Sequence, residues 1–341
     1  MSKVEFNVED IIAAFPDYGE VVGYKPITAG HINDTYIVEY KLSDVSIAQY
    51  LLQRINTVVF KKPVEVMDNV VGITAHLRKK IEENGGDPTR ETLTVYPAKD
   101  GKNYYSSEKE GFWRMYNFVG DTFSISELTN PEDFKNAALS FGNFQNLLAD
   151  YPIETLYETI PNFHNTPARF ETFKASVEKN ASGRKNQAIP EIEFALAREK
   201  DCAVITDLIA ACEMPVIVTH NDTKLNNVLF DNITKKGICI VDLDTVMPGS
   251  SLYDFGDSIR FGANTAAEDE TDLSKVTLSL EYFKAYVDGI LKQQVIALLI
   301  TRLNILLFQQ SFLPLSAVSD SLQISLMGTF ILKLNTPSTT L

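Results

Sequence analysis

The segment PVIVTHNDTKLNNVLFDNITKKGICIVDLD sets His220, Asp222 and Asn227 in the order His-x-Asp-x4-Asn, then reaches Asp242 after two further β-rich runs joined by a turn. The whole chain has four histidines, so a chance copy of this order ahead of a hairpin is uncommon. Phosphoryl transfer accounts for these residue types, because its transition state needs in-line positioning and charge neutralisation more than covalent help. One carboxylate must face the acceptor hydroxyl, and Asp222 suits that role as the base that accepts the proton. Asn227 and Asp242 suit the second requirement, hard oxygen ligands that hold Mg²⁺ on the phosphates of ATP. His220 reads as structural, its ring fixing the loop, since the carboxylate two residues on already supplies the base. Asp244 reads as a strand-end carboxylate, with a second Mg²⁺ ligand as the alternative. Asp254 and Asp257 lie beyond a PGSS turn; Asp254 is expected to bond back to the catalytic loop or to cap the following helix.

These residues need a scaffold, and the chain upstream supplies one. Asn7 ahead of EDIIAAF signals a short capped helix. VVGYKPI and TYIVEY are β-rich runs joined by TAGHIND, a hairpin whose Gly30 lets backbone N–H groups approach phosphates, although an ordinary turn would look the same. A third run, SIAQYLLQRINTVVF, puts Gln53 and Arg54 on opposite faces, so one of them can point under the glycine loop. Pro63 opens a helix with Val66, Val70, Ile73 and Leu77 at helical spacing and a double-glycine stop; His76 on it is a packed or solvent-facing residue. ETLTVYPA and FWRMYNFVG follow as strands, and 131–150, 167–177 and 191–212 read as mainly helical.

The 341 residues suit two domains or one large bilobal unit, and no stretch reads as a linker. With 31 Lys and Arg against 45 Asp and Glu, the net charge of −14 disfavours nucleic acid and anionic membrane surfaces and favours small-molecule partners. Three cysteines without CxxC spacing, and an N-terminus carrying acids where a secretion signal needs bases, lead us to expect a cytoplasmic setting.

The stretch from Thr219 to Asp257 resembles the phosphotransferase family related to aminoglycoside and choline kinases, which has the α+β, bilobal, protein-kinase-like fold. More narrowly, AGHINDTY, LLQRIN, FWRMYNFV, THNDTKLNNVLFD and VDLDTVMPG with DFGDSIRFG are similar to the motifs of N-acetylhexosamine 1-kinases. The resemblance implies ATP-dependent phosphorylation of the anomeric hydroxyl of N-acetylglucosamine or N-acetylgalactosamine. It makes Asp222 the catalytic base, Asn227 and Asp242 the Mg²⁺ holders, and Gly30, His31, Ile32 and Asn33 the cover over the ATP phosphates. It also makes Met115, Tyr116 and Phe118 the hinge beside adenine. The Val-Ala-Ile-Lys strand of protein kinases is absent, and Arg54 is the expected substitute cation, with Gln53 its rival. The glycine loop departs from GxGxxG in having one glycine. The corresponding division is an N-lobe over 1–117, a C-lobe over 118–294 and an anomalous tail over 295–341.

That tail departs from the rest. From Ile296 to Leu341 only Arg302, Asp320 and Lys333 are charged, three residues in 46 against 22% in the chain. It is too interrupted to span a membrane. A reading frame shifted by two bases near Gln294 would permit a charged, helix-patterned sequence free of forced stops, which resembles the C-terminal helices of the same kinases. A frameshift is therefore the expected origin of the tail.

Overall fold

The computed structural model describes residues 6–27, 32–265 and 275–293. The anomalous tail lies outside the described residues. Within them the chain forms two compact units that are not divided by one cut near Asn117. The first takes the chain up to Ser124 together with Asp150–Ile160 and Val228–Met247; the second takes Ile125–Ala149, Pro161–Asn227 and the chain from Pro248.

In the first unit, helix α1 (Val8–Ala13) starts at Asn7, whose side chain accepts from the Glu9 and Asp10 amides as expected of an N-cap. Strands β1 (Glu20–Ile27), β2 (Asp34–Lys41) and β3 (Ile47–Arg54) form an antiparallel meander. Helix α2 (Pro63–Glu83) opens with proline at its first position and buries Val66, Met67, Val70, Ile73, Leu77 and Ile81 along one stripe. A short α3 (Pro88–Glu91), β4 (Val95–Tyr96), β5 (Tyr105–Ser107) and β6 (Gly111–Asn117) follow, and the sheet order is β1-β2-β3-β6-β4 with β5 also on β6. The register sets Gln53 opposite Arg114 and Arg54 opposite Trp113. One face of the sheet, with Val38, Tyr40, Leu52, Trp113 and Met115, packs with Val8, Ile11 and Ile12 of α1 into a core. Strand β7 (Thr122–Phe123) pairs with β9 (Val228–Asp231), which pairs with β10 (Gly237–Ile240) in a second antiparallel sheet.

The second unit is mainly helical: α4 (Pro131–Leu147), α5 (Thr166–Lys179), α6 (Ile189–Leu196), α7 (Val204–Ala210), α8 (Ser251–Gly262) and α9 (Leu280–Ile290), with the short strand β8 (Ile217–Thr219) packed against α4 and α8. Asn130, Asn165, Ser250 and Ser279 cap four of these helices through their side chains. Helix α9 lies so close to α4 that a Cβ on Gly289 would meet the Lys135 carbonyl at 2.6 Å. Among the described residues no helix is long and apolar enough to cross a membrane.

Candidate active site

In the second unit, β8 runs directly into the His220 loop, and the start of α8 holds that loop by its backbone. Asp254 accepts from the His220 amide at 3.0 Å, from the Asn221 amide at 2.7 Å and from Gln145 Nε2 at 2.7 Å. One turn on, Asp257 accepts from the Thr223 amide at 2.8 Å, and Thr223 Oγ1 donates to the Asp254 carbonyl at 2.7 Å. Asn221 adopts the left-handed conformation with φ 66°, which turns successive amides toward these two carboxylates. Gly249 is required beside it, because a Cβ there would stand 2.4 Å from Thr219 Oγ1.

His220 is fully buried and is structural in this geometry: its Nδ1 accepts from the Asp222 amide at 3.3 Å, and its ring meets the edges of Phe141 and Phe144. Asp222, thus fixed by its own backbone, keeps its carboxylate partly exposed, with Lys224 Nζ 3.4 Å from Oδ1. Asn227 is buried and brought against it, Nδ2 donating to the Asp222 carbonyl at 2.8 Å and to Oδ2 at 3.2 Å. With Nδ2 so engaged, the amide oxygen is the atom of Asn227 that can ligate a cation.

In the first unit, Asp242 is exposed at a left-handed position with φ 59°, opening a one-turn 3₁₀ segment over Leu243–Thr245. The next carboxylate, Asp244, is 2% exposed and faces inward. Its Oδ1 lies 2.5 Å from Arg114 Nη1, its Oδ2 accepts from Asn33 Nδ2 at 2.8 Å, and its carbonyl accepts from Thr159 Oγ1 at 3.0 Å. Arg114 in turn donates from Nε and Nη2 to Gln53 Oε1 at 3.0 and 2.6 Å, and Gln53 Nε2 donates to Thr35 Oγ1. The guanidinium also lies 5.0 Å from the centre of the Tyr116 ring. Burial alone would favour the neutral guanidine, but the Asp244 carboxylate overrides it and holds Arg114 charged, above even its ordinary range. Asn69 of α2 pins the same turn by donating to the Val246 carbonyl at 3.0 Å.

Asn33 thus links the end of the glycine loop to Asp244, while Ile32 beside it is half exposed and Gly30 and His31 lie outside the described residues. Arg54 stands on the opposite face from Gln53, paired with Asp34 at 3.3 Å and over the Phe6 ring. The cation that faces the Asp244 carboxylate is Arg114, on the same side of the sheet as Gln53. Met115 and Tyr116 sit inside the sheet with β3 on one side and β4 on the other, so their backbone groups belong to the ladders and are not open to a base edge. Phe118, past the end of β6, is the member of that trio clear of the sheet; it lines a cavity of about 390 Å³ with Tyr50, Tyr96 and Arg90. The missed residue, Arg114, was signalled only by its parity with Gln53 across two strands, which needs the register.

Among the described residues no group of three or more His, Cys, Asp or Glu side chains is arranged to hold a metal ion. The hard oxygens available, the Asn227 amide and the exposed Asp242 carboxylate, are too few for a dedicated cage. Each, within its own unit, is a hard oxygen donor of the kind Mg²⁺ takes alongside water and phosphate.

The family model of the phosphotransferase enzyme family matches residues 23–276, and the chain belongs to that family. It is an enzyme, a phosphotransferase with an alcohol group as acceptor. Solved structures of the same fold include a spectinomycin phosphotransferase in complex with ADP and spectinomycin, 12% identical with a TM-score of 0.54, covering 94% of this chain and 87% of that one. An ethanolamine kinase of Plasmodium vivax is 15% identical with a TM-score of 0.52, covering 92% and 79%. An amicoumacin kinase in complex with AMP-PNP and Ca²⁺ is 12% identical with a TM-score of 0.53, covering 94% and 92%. The fold is α+β and protein-kinase-like.

Proposed function

We propose that this enzyme transfers the γ-phosphoryl group of ATP to the anomeric hydroxyl of N-acetylglucosamine or N-acetylgalactosamine, giving the sugar 1-phosphate and ADP. The observation that carries the reading is the loop 220–223, whose backbone is held by two buried aspartates while the Asp222 carboxylate stays partly exposed. Asp222 accepts the proton of the acceptor hydroxyl as its oxygen bonds to the γ-phosphorus and the bond to the β,γ-bridging oxygen breaks. Asn227 and Asp242 would hold Mg²⁺, which neutralises charge on the transferred group. Gly30, His31, Ile32 and Asn33 cover the phosphates, and Phe118 lies beside the base.

The hexosamine acceptor rests on the similarity of the five motifs to those of N-acetylhexosamine 1-kinases. A second reading, another small alcohol such as choline, homoserine or an aminoglycoside, is favoured by the ethanolamine and spectinomycin kinases that share the fold. Coupled measurement of ADP release across these acceptors, with phosphorus NMR of the product, separates them. A phosphorus signal coupled to the anomeric proton with either hexosamine supports the proposal, and turnover with a different alcohol alone overturns it. ATP binding without turnover on any acceptor would instead indicate a nucleotide-binding pseudoenzyme, a reading that intact Asp222, Asn227 and Asp242 oppose.

The 295–341 tail belongs to the same proposal: a slipped frame near Gln294 would deprive the enzyme of its acceptor-side helices. Resequencing the gene across that codon decides it. A chain restored to the shifted frame should be more soluble and more active than the sequence as written.

A further inference from the structure

Among the described residues of the first unit, the largest buried charged group is Arg114, and its surroundings are unusually complete. It is 1% exposed, yet all three guanidinium nitrogens are engaged, Nε and Nη2 on Gln53 and Nη1 on Asp244. A guanidinium so placed cannot reach a nucleotide phosphate without abandoning a buried carboxylate, which is costly when the partner stays buried. Its effect must pass through what it holds. Asp244 is two residues from Asp242, in the same 3₁₀ turn, and its other oxygen holds Asn33 at the end of the glycine loop. Asn33 Oδ1 in turn accepts from the Asn56 amide, two residues beyond β3.

We propose that Arg114 is a positioning residue: bridged by Gln53 and Asp244, it sets the turn that carries Asp242 and the loop end at Asn33, and so sets how Mg²⁺ and the nucleotide are bound together. The inference rests on the reading of Asp242 as a Mg²⁺ holder. The shape of the guanidinium supports a positioning role over a merely cohesive one. The fork of Arg114 joins its own strand to Gln53 on β3 and to Asp244 in the turn, a geometry that a lysine point charge cannot copy. Thr159 on the Asp244 carbonyl and Asn69 on the Val246 carbonyl tie the same turn from other elements of the unit.

The test compares Arg114→Lys, and the double variant Arg114→Met with Asp244→Leu, with the unaltered full chain. The double variant removes both buried charges together and so is expected to fold where a single truncation could fail. Calorimetry with ADP is run in Mg²⁺ and again in EDTA, with no acceptor present. The expected result is at least a tenfold loss of ADP affinity in Mg²⁺ for both variants, unchanged affinity in EDTA, and a melting temperature for the double variant near that of the parent. Wild-type affinity in Mg²⁺ for the folded double variant would overturn the proposal and leave Arg114 as a core staple. A tenfold loss in EDTA would also overturn it, since the effect of Arg114 would then not pass through the Mg²⁺-holding turn. Asp242→Ala, run alongside, separates the two layers: if it leaves affinity in Mg²⁺ unchanged, the reading of Asp242 fails, whatever Arg114 does.

Discussion

Two buried aspartates do comparable work in the two units by different chemistry. Asp254, in the second unit, is satisfied by two backbone amides and the Gln145 amide, all neutral donors. Asp244, in the first, is ion-paired with the Arg114 guanidinium and accepts from the Asn33 amide. Each lies close to a carboxylate that faces outward: Asp254 holds the two residues before Asp222, and Asp244 follows Asp242 by two. Where the backbone itself can turn its amides to the carboxylate, as the left-handed Asn221 allows, neutral donors meet it, and burial still pushes its pKa up. Asp244 has no such cluster of amides, and a cation from another strand completes it. The first arrangement is local and tight; the second depends on three strands keeping register.

Substitutions test the contrast. The largest effect is expected at the residue that the Asp254-held loop exists to present: Asp222→Asn should lower kcat by roughly two to four decades, the range for a lost acid–base group, while ATP affinity by calorimetry stays nearly constant. Most of the activity retained would remove Asp222 as the base. Asp254→Ala should come next, orphaning two buried amides and lowering unfolding free energy by about 4 kcal/mol, measured by urea titration. A loss below about 1 kcal/mol would mean that the loop holds itself and that the comparison fails on this side.

A third test uses acid. His164 stacks on Tyr253 and bonds to the Asn221 backbone, and burial pulls its pKa down from 6.5 to about 4. The folded state thus resists protonation that the unfolded chain accepts below 6.5. Stability from this group is complete above pH 6.5 and declines as pH falls toward 4, by about 3 kcal/mol at most. Urea titrations at pH 7 and pH 4 should show the decline, and His164→Gln should flatten it. Parallel curves for the parent and the variant would rule out His164 as the source.

Asp242→Ala should reduce Mg²⁺-dependent ATP affinity about tenfold, near 1.4 kcal/mol, without the stability loss seen at Asp254, because its carboxylate is exposed. The smallest effect is expected at Arg54→Ala. Its pair with Asp34 is at the surface, so stability should change by less than about 1 kcal/mol and ATP affinity not at all. A clear loss of ATP affinity there would support Arg54 as the phosphate cation.

The difference between those two arginines shows where the amino-acid sequence stops. The order His220, Asp222, Asn227, Asp242 stands out because the proposed roles need particular side chains at short spacing, and the return of Asp254 to the loop was expected from its place after the turn. Helix α2 is legible from its stripe and its proline, and the alternation of Gln53 and Arg54 from the period of two. Which of the two faces Asp244 is a different matter. Both faces of the central strands are covered, and Phe112 to Tyr116 are buried without interruption, so alternation carries no label of inside and outside. The same uniform burial put Met115 and Tyr116 within the ladder and left Phe118 as the first residue beyond it. Only the pairing of β3 with β6, a contact between residues some sixty positions apart, set Gln53 beside Arg114 and made one buried cation serve a carboxylate far along the chain.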